Sequence, residues 1–106
     1  MDSAERVLVD ELKRGLAAIY GRRLVAVYVY GSRARGGADA ESDLDVLIVL
    51  DTVDAYAAEI ECTSALVSRL SLEHGITVSR VFAAARDWES RGSTFVRNVR
   101  DEAVAA

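Results

Sequence analysis

The sequence predicts a mixed α/β fold in which helices pack on a small sheet. Three observations carry this. Two short apolar runs, Leu24–Tyr30 and Leu44–Leu50, have the composition of strands covered on both faces. Two longer stretches, 2–20 and 53–74, repeat apolar residues at helical spacing. The predicted order is helix, strand, strand, helix, strand, helix, helix.

In the first helix, residues 2–20, Leu8, Leu12, Leu16 and Ile19 recur at intervals of three and four, with Glu5, Asp10, Lys13 and Arg14 elsewhere around it. Gly21 is a natural stop. In the strand at Leu24, Val25, Val27 and Val29 alternate with Ala26, Tyr28 and Tyr30. Residues 34–42 form a loop with a short helical start, broken at Gly36-Gly37. After the strand 44–50, Asp51-Thr52 interrupts the apolar run. In the helix 53–74, Tyr56, Ile60, Leu66, Val67 and Leu70 share an inward face, while Asp54, Glu59, Glu61, Arg69 and Glu73 lie outside. Gly75 caps it. Residues 76–83, with β-branched Ile76, Thr77, Val78 and Val81, form a third strand. Helices over 86–91 and 94–104 complete the chain.

The 106 residues suffice for one domain spanning 1–106, with one core. A hydrophobic share of 51% and a charged share of 28% mark a globular chain. The net charge of −4 gives no basic signature for nucleic acid, and direct nucleic-acid binding is not expected. The N-terminal stretch is charged and does not have the pattern of a signal peptide. No apolar run reaches membrane-spanning length, so no membrane association is expected. The one cysteine, Cys62, has no partner for an internal disulfide. A reducing compartment, and hence a cytoplasmic location, is the natural expectation.

The chemistry concentrates between Tyr30 and Leu50. The first strand ends in Gly31-Ser32; after ten intervening residues come Asp43 and Asp45, opening the second strand. Strand side chains alternate with period two, so both carboxylates project from one side of the sheet. Such a pair repels itself unless a cation intervenes. A hard divalent ion such as Mg²⁺ suits oxygen ligands and brings phosphate oxygens with it. Gly31 allows close backbone approach, Ser32 offers an N–H and a hydroxyl, and Arg33 and Arg35 add positive charge. Taken alone, Asp43-Leu44-Asp45 would read as a solvated strand entry and Gly31-Ser32 as an ordinary turn. The spacing of the two together points to a metal–phosphate site.

This arrangement, GSRARG followed by SDLDVLIVL, resembles the nucleotidyltransferase superfamily related to DNA polymerase beta. More narrowly it resembles the minimal nucleotidyltransferases, antitoxins paired with HEPN-domain toxins. The tail from Ser93 to Glu102 is also similar to the end of many such chains. The resemblance implies that Asp43 and Asp45 hold Mg²⁺ and that Gly31 and Ser32 bind the triphosphate of ATP. Arg33 is expected on phosphate; Arg35 is expected either there or organising the loop. Ser32, Asp43 and Asp45 would form the catalytic set. The implied reaction moves AMP to a hydroxyl, a tyrosine of a partner HEPN RNase, in a hetero-oligomer.

One departure bears on this. Superfamily members with full activity carry a third carboxylate on a later strand. The matching run, Ile76-Thr77-Val78-Ser79-Arg80-Val81, has none, and Thr77 or Ser79 takes its place. Asp87 and Glu89 follow the strand, and Asp39 and Glu41 lie in the motif loop. Base catalysis typically supplies about 10²–10⁴-fold, so its loss weakens transfer without forbidding it. A binding module that neutralises the toxin by contact is therefore the alternative. A small-molecule transferase is a third, disfavoured because there is no acceptor-binding domain. His74 reads as a helix-end cation, Cys62 as a small core or boundary residue, and Trp88, Phe95 and Val99 as packing groups.

Overall fold

The computed structural model describes residues 1–90 and 93–106. The first helix, α1 (Ser3–Tyr20), opens on a capping box. Glu5 N–H donates to Asp2 Oδ1 at 2.8 Å, and Asp2 N–H donates to Glu5 Oε1 at 2.9 Å. Leu8, Leu12 and Leu16 are buried as their spacing predicts. Ile19 is not: it is 41% exposed, and Tyr20 is buried instead. The i, i+4 row through Leu8, Leu12 and Leu16 continues to residue 20, which places Ile19 off the stripe. At Gly15 the helix lies so close to its neighbour that a Cβ would overlap the Leu66 side chain.

After a 3₁₀ turn at Gly21–Arg23 come β1 (Leu24–Tyr30), the single-turn α2 (Ser32–Arg35) and β2 (Leu44–Leu50). Then follow α3 (Tyr56–His74), β3 (Val78–Ala84), α4 (Ala85–Ser90), α5 (Thr94–Glu102) and β4 (Val104–Ala105). The sheet order is β3-β2-β1-β4. β1 runs antiparallel to β2 and β4, and β2 runs parallel to β3. Both predicted strands around the motif have the expected bounds. Helix α3 begins at Tyr56, three residues later than expected, because Asp51-Thr52 and the following residues bend first. β3 begins at Val78. The expected last helix, 94–104, stops at Glu102, and Val104–Ala105 instead pairs with Tyr28–Val29 as an edge strand. Of the expected helix 86–91, α4 covers all but Arg91, which lies outside the described residues.

The sheet is covered on both faces. Val27, Val29, Val46, Ile48, Leu50 and Phe82 pack toward α1 and α3. Leu47 and Val49 pack on the opposite face against Trp88 of α4 and Val96 and Val99 of α5. Each such side chain contributes roughly 1.5–3 kcal/mol of burial. Two α3 residues reverse expectation. Tyr56 is 45% exposed, while Glu59, expected outside, is buried. Glu59 is compensated: its carboxylate accepts from Arg23 Nη2 at 2.8 Å and from Tyr20 Oη–H at 3.2 Å. Among the described residues no helix is long and apolar enough to cross a membrane.

Candidate active site

β1 delivers the chain to Gly31, whose φ of +75° is a conformation that residues with a Cβ rarely adopt. Glycine is needed there for a second reason. A Cβ on Gly31 would overlap Asp45 Oδ2, so the Asp45 carboxylate packs directly onto this turn. The antiparallel register explains the contact, since Tyr30 at the end of β1 is the partner of Asp45 on β2. Asp43 lies two residues earlier and is exposed, while Asp45 is half-buried. Burial first, then the Asp43 charge, then Glu102 push the Asp45 carboxyl above its usual range, and Arg35 partly offsets this. The site therefore carries acidic charge in excess. An all-oxygen donor set with unrelieved negative charge fits a hard divalent cation.

The two arginines divide their work differently from the expectation. Arg33 is buried, its side chain 7% exposed. Its Nη1 donates to Glu5 Oε2 at 3.0 Å, its Nε to Ser42 O at 2.9 Å and its Nη2 to Asp39 O at 3.4 Å. All these partners belong to the protein, so Arg33 ties the motif loop to α1. Arg35 is the exposed arginine, and its Nη1 donates to Glu102 Oε2 at 2.8 Å. Arg35 is thus the one positioned at the charged end of the turn.

Ser79 is the parallel-register partner of Asp45, so it is the β3 residue directly beside that carboxylate. Thr77 instead accepts the Leu44 N–H through its backbone oxygen at 2.9 Å. Asp39 is engaged within its own loop, accepting from Glu41 N–H at 2.9 Å. Asp87 and Glu89 are exposed on α4. The carboxylate that does reach the turn is Glu102, at the end of α5. Gly31 N–H donates to Glu102 Oε1 at 3.2 Å. Distance along the chain hid it from motif reading. Its one sequence signal is its place in the tail that resembles the family.

Further along the same face of the sheet, past Ser79, a shallow pocket of about 380 Å³ is lined by Val81, Ala83, Phe95 and Val96 among others. The Phe95 ring stands edge-on to Tyr30 with centroids 6.2 Å apart. The turn, the carboxylates and this hollow, whose lining also includes Asp87 and Ser93, follow one another on the sheet.

The family model described as the nucleotidyltransferase domain matches residues 9–78. The chain belongs to this family. The nucleotidyltransferase match includes the turn at Gly31, both aspartates and the start of β3. Two relatives named putative protein adenylyltransferases come from Methanocaldococcus jannaschii. One is 29% identical over 99 residues, covering 92% of this chain and 93% of the relative. The other is 34% identical over 74 residues, covering 70% and 74%. A solved structure described as a putative minimal nucleotidyltransferase superposes with a TM-score of 0.59 at 27% identity, covering 98% of this chain and 95% of that one. A chain from a crystal structure of a toxin–antitoxin with AMP-PNP superposes with a TM-score of 0.64 at 19% identity, covering 91% and 69%. At that identity the likeness concerns the fold. The mixed sheet flanked by helices is the minimal nucleotidyltransferase fold.

Proposed function

We propose that this nucleotidyltransferase transfers AMP from ATP to a hydroxyl of a partner protein, a tyrosine of a HEPN RNase toxin, and so acts as an antitoxin. The observation that carries the reading is the Asp45 carboxylate seated on the Gly31 turn, with Asp43 immediately before the same strand. In this reading Asp43 and Asp45 hold Mg²⁺, and Gly31, Ser32 and Arg35 receive the phosphates. Arg33 serves the same site by fixing Ser42 O, next to Asp43. The bound cation supplies charge neutralisation of the phosphate oxygens. The acceptor oxygen forms a bond to the α-phosphorus, the bond to the departing pyrophosphate breaks, and the hydroxyl proton leaves to a neighbouring carboxylate or water. The hollow lined by Val81, Ala83 and Phe95, with Asp87 and Ser93 at its polar side, offers a seat on the same face for an aromatic ring bearing a hydroxyl. The toxin partner follows from the motif resemblance, and the fold likeness to the toxin–antitoxin chain agrees with it. An acidic chain with a single cysteine suits a cytoplasmic, protein-directed role.

Ser79 beside Asp45 favours a second reading, in which the domain binds and silences the toxin with little or no transfer. Intact-mass measurement separates the two. The partner toxin is incubated with this protein, ATP and Mg²⁺. Transfer predicts a gain of one or more adenylyl groups, absent with Asp43→Asn. An unmodified toxin that still loses its RNase activity supports the binding module and overturns transfer.

A further inference from the structure

Two of the groups assigned above to phosphate, the Gly31 N–H and the Arg35 guanidinium, are held by one side chain. Glu102 Oε1 accepts from Gly31 N–H at 3.2 Å, and Glu102 Oε2 accepts from Arg35 Nη1 at 2.8 Å. A carboxylate with one oxygen on a turn amide and the other on a guanidinium makes the contacts that two phosphate oxygens would make. We propose that Glu102 is an internal anion occupying the phosphate seat, so that a nucleoside triphosphate must displace it, and that Glu102 thereby sets nucleotide affinity. The proposal rests on the triphosphate reading of the site.

The fold fixes Glu102 from both sides. Before it, Val96 and Val99 anchor α5 in the core. After it, Ala103 N–H donates to Val99 O at 2.8 Å, and Val104 and Ala105 pair with Val29 and Tyr28. The edge strand that closes the chain therefore sets the α5 terminus beside the end of β1, where the Gly31 turn begins. The seat is also reversible. The Glu102 side chain is 33% exposed and Arg35 is 58% exposed, so their ion pair is weak and open to exchange. Glu102 also adds to the negative charge around Asp45, which a triphosphate without its cation must meet. Removing Glu102 thus lifts competition and repulsion together. A mere strut docking the tail would instead leave affinity unchanged and cost only stability.

The test is titration of the full chain with a fluorescent, non-hydrolysable ATP analogue, in EDTA and in Mg²⁺. The natural chain, Glu102→Gln and Glu102→Ala are compared. In EDTA, Glu102→Ala is expected to bind about three- to tenfold tighter, the scale of one hydrogen bond's net contribution with the exposed ion pair adding little. Glu102→Gln, which keeps the shape and an acceptor for Gly31, is expected to tighten less. In Mg²⁺ the gain shrinks, because the cation screens the same charges. The Gly31 amide resonance should shift on saturating the natural chain with the analogue, and should already be displaced in Glu102→Ala without it. If Glu102→Ala fails to fold, Glu102→Gln carries the test. Variants that bind no tighter than a natural chain that does bind overturn this inference alone. A natural chain that binds no triphosphate even in Mg²⁺ overturns it together with the proposed function.

Discussion

Glu5→Gln tests whether Arg33 is built into the fold. Glu5 and Arg33 form an ion pair at 3.0 Å, with side chains 8% and 7% exposed. Removing one partner of a buried pair typically costs about 3–5 kcal/mol, because the other charge stays buried without compensation. Here Arg33 keeps the Ser42 and Asp39 carbonyl oxygens, and a glutamine at position 5 still accepts the Asp2 N–H. The expected loss is therefore about 2–4 kcal/mol, a large part of the ~5–15 kcal/mol that a domain of this kind holds. The melting midpoint should fall by roughly 10–25 °C. Urea unfolding followed by circular dichroism measures the loss. Replacing both residues, as Glu5→Leu with Arg33→Met, should recover part of it, since the stranded charge is gone. A loss below about 1 kcal/mol, the size of an exposed ion pair, would refute the reasoning and return Arg33 to the nucleotide.

Gly31→Ala should cost about 1–3 kcal/mol from its backbone conformation alone. It should also weaken Mn²⁺ binding, because the new methyl group displaces the Asp45 carboxylate; unchanged Mn²⁺ affinity would show that the contact is dispensable. The Arg23 hydrogen bond holds the Glu59 carboxyl below its ordinary value of 4.5. A depressed carboxyl adds stability above that value, and the addition is lost as pH falls through the lower folded value. Glu59→Gln should therefore destabilise the protein at neutral pH and flatten its loss of stability on acidification below 4.5; parallel urea midpoints for variant and natural chain would contradict this. Ser79→Asp, placing a carboxylate beside Asp45, should raise Mn²⁺ affinity and lower metal-free stability; no change in affinity would show that position 79 does not reach the site.

The parts of this fold that rest on local pattern were legible. The strand at Leu24–Tyr30 is an unbroken apolar run, and that at Leu44–Leu50 is interrupted only by Asp45, so their bounds follow from composition. Gly75 ends α3 in the left-handed conformation, as a capping glycine should. The misses are tertiary. Two residues of edge strand, Val104–Ala105, carry too little pattern to be distinguished from the end of a helix, and only pairing with β1 defines them. Glu59 reads as a surface charge until Arg23 and Tyr20 arrive from thirty-six and thirty-nine residues away. The motif places Arg33 on phosphate and leaves Arg35 between phosphate and the loop, whereas the structure buries Arg33 and exposes Arg35. The capping carboxylate of Glu5 removes one of them from solvent, and no local signal announces it. Glu102 joins the turn from seventy-one residues away for the same reason.

The central claim is that Asp43, Asp45 and the Gly31-Ser32 turn form one metal–triphosphate site. Paramagnetic line broadening measures it directly, with trace Mn²⁺ added to isotope-labelled protein saturated with a non-hydrolysable ATP analogue. The account predicts that the amides of Gly31, Ser32 and Asp45 broaden first, and that Asp43→Asn abolishes the effect. Broadening centred instead on Glu11, Glu73 and His74, the acidic cluster joining α1 to α3, would contradict it.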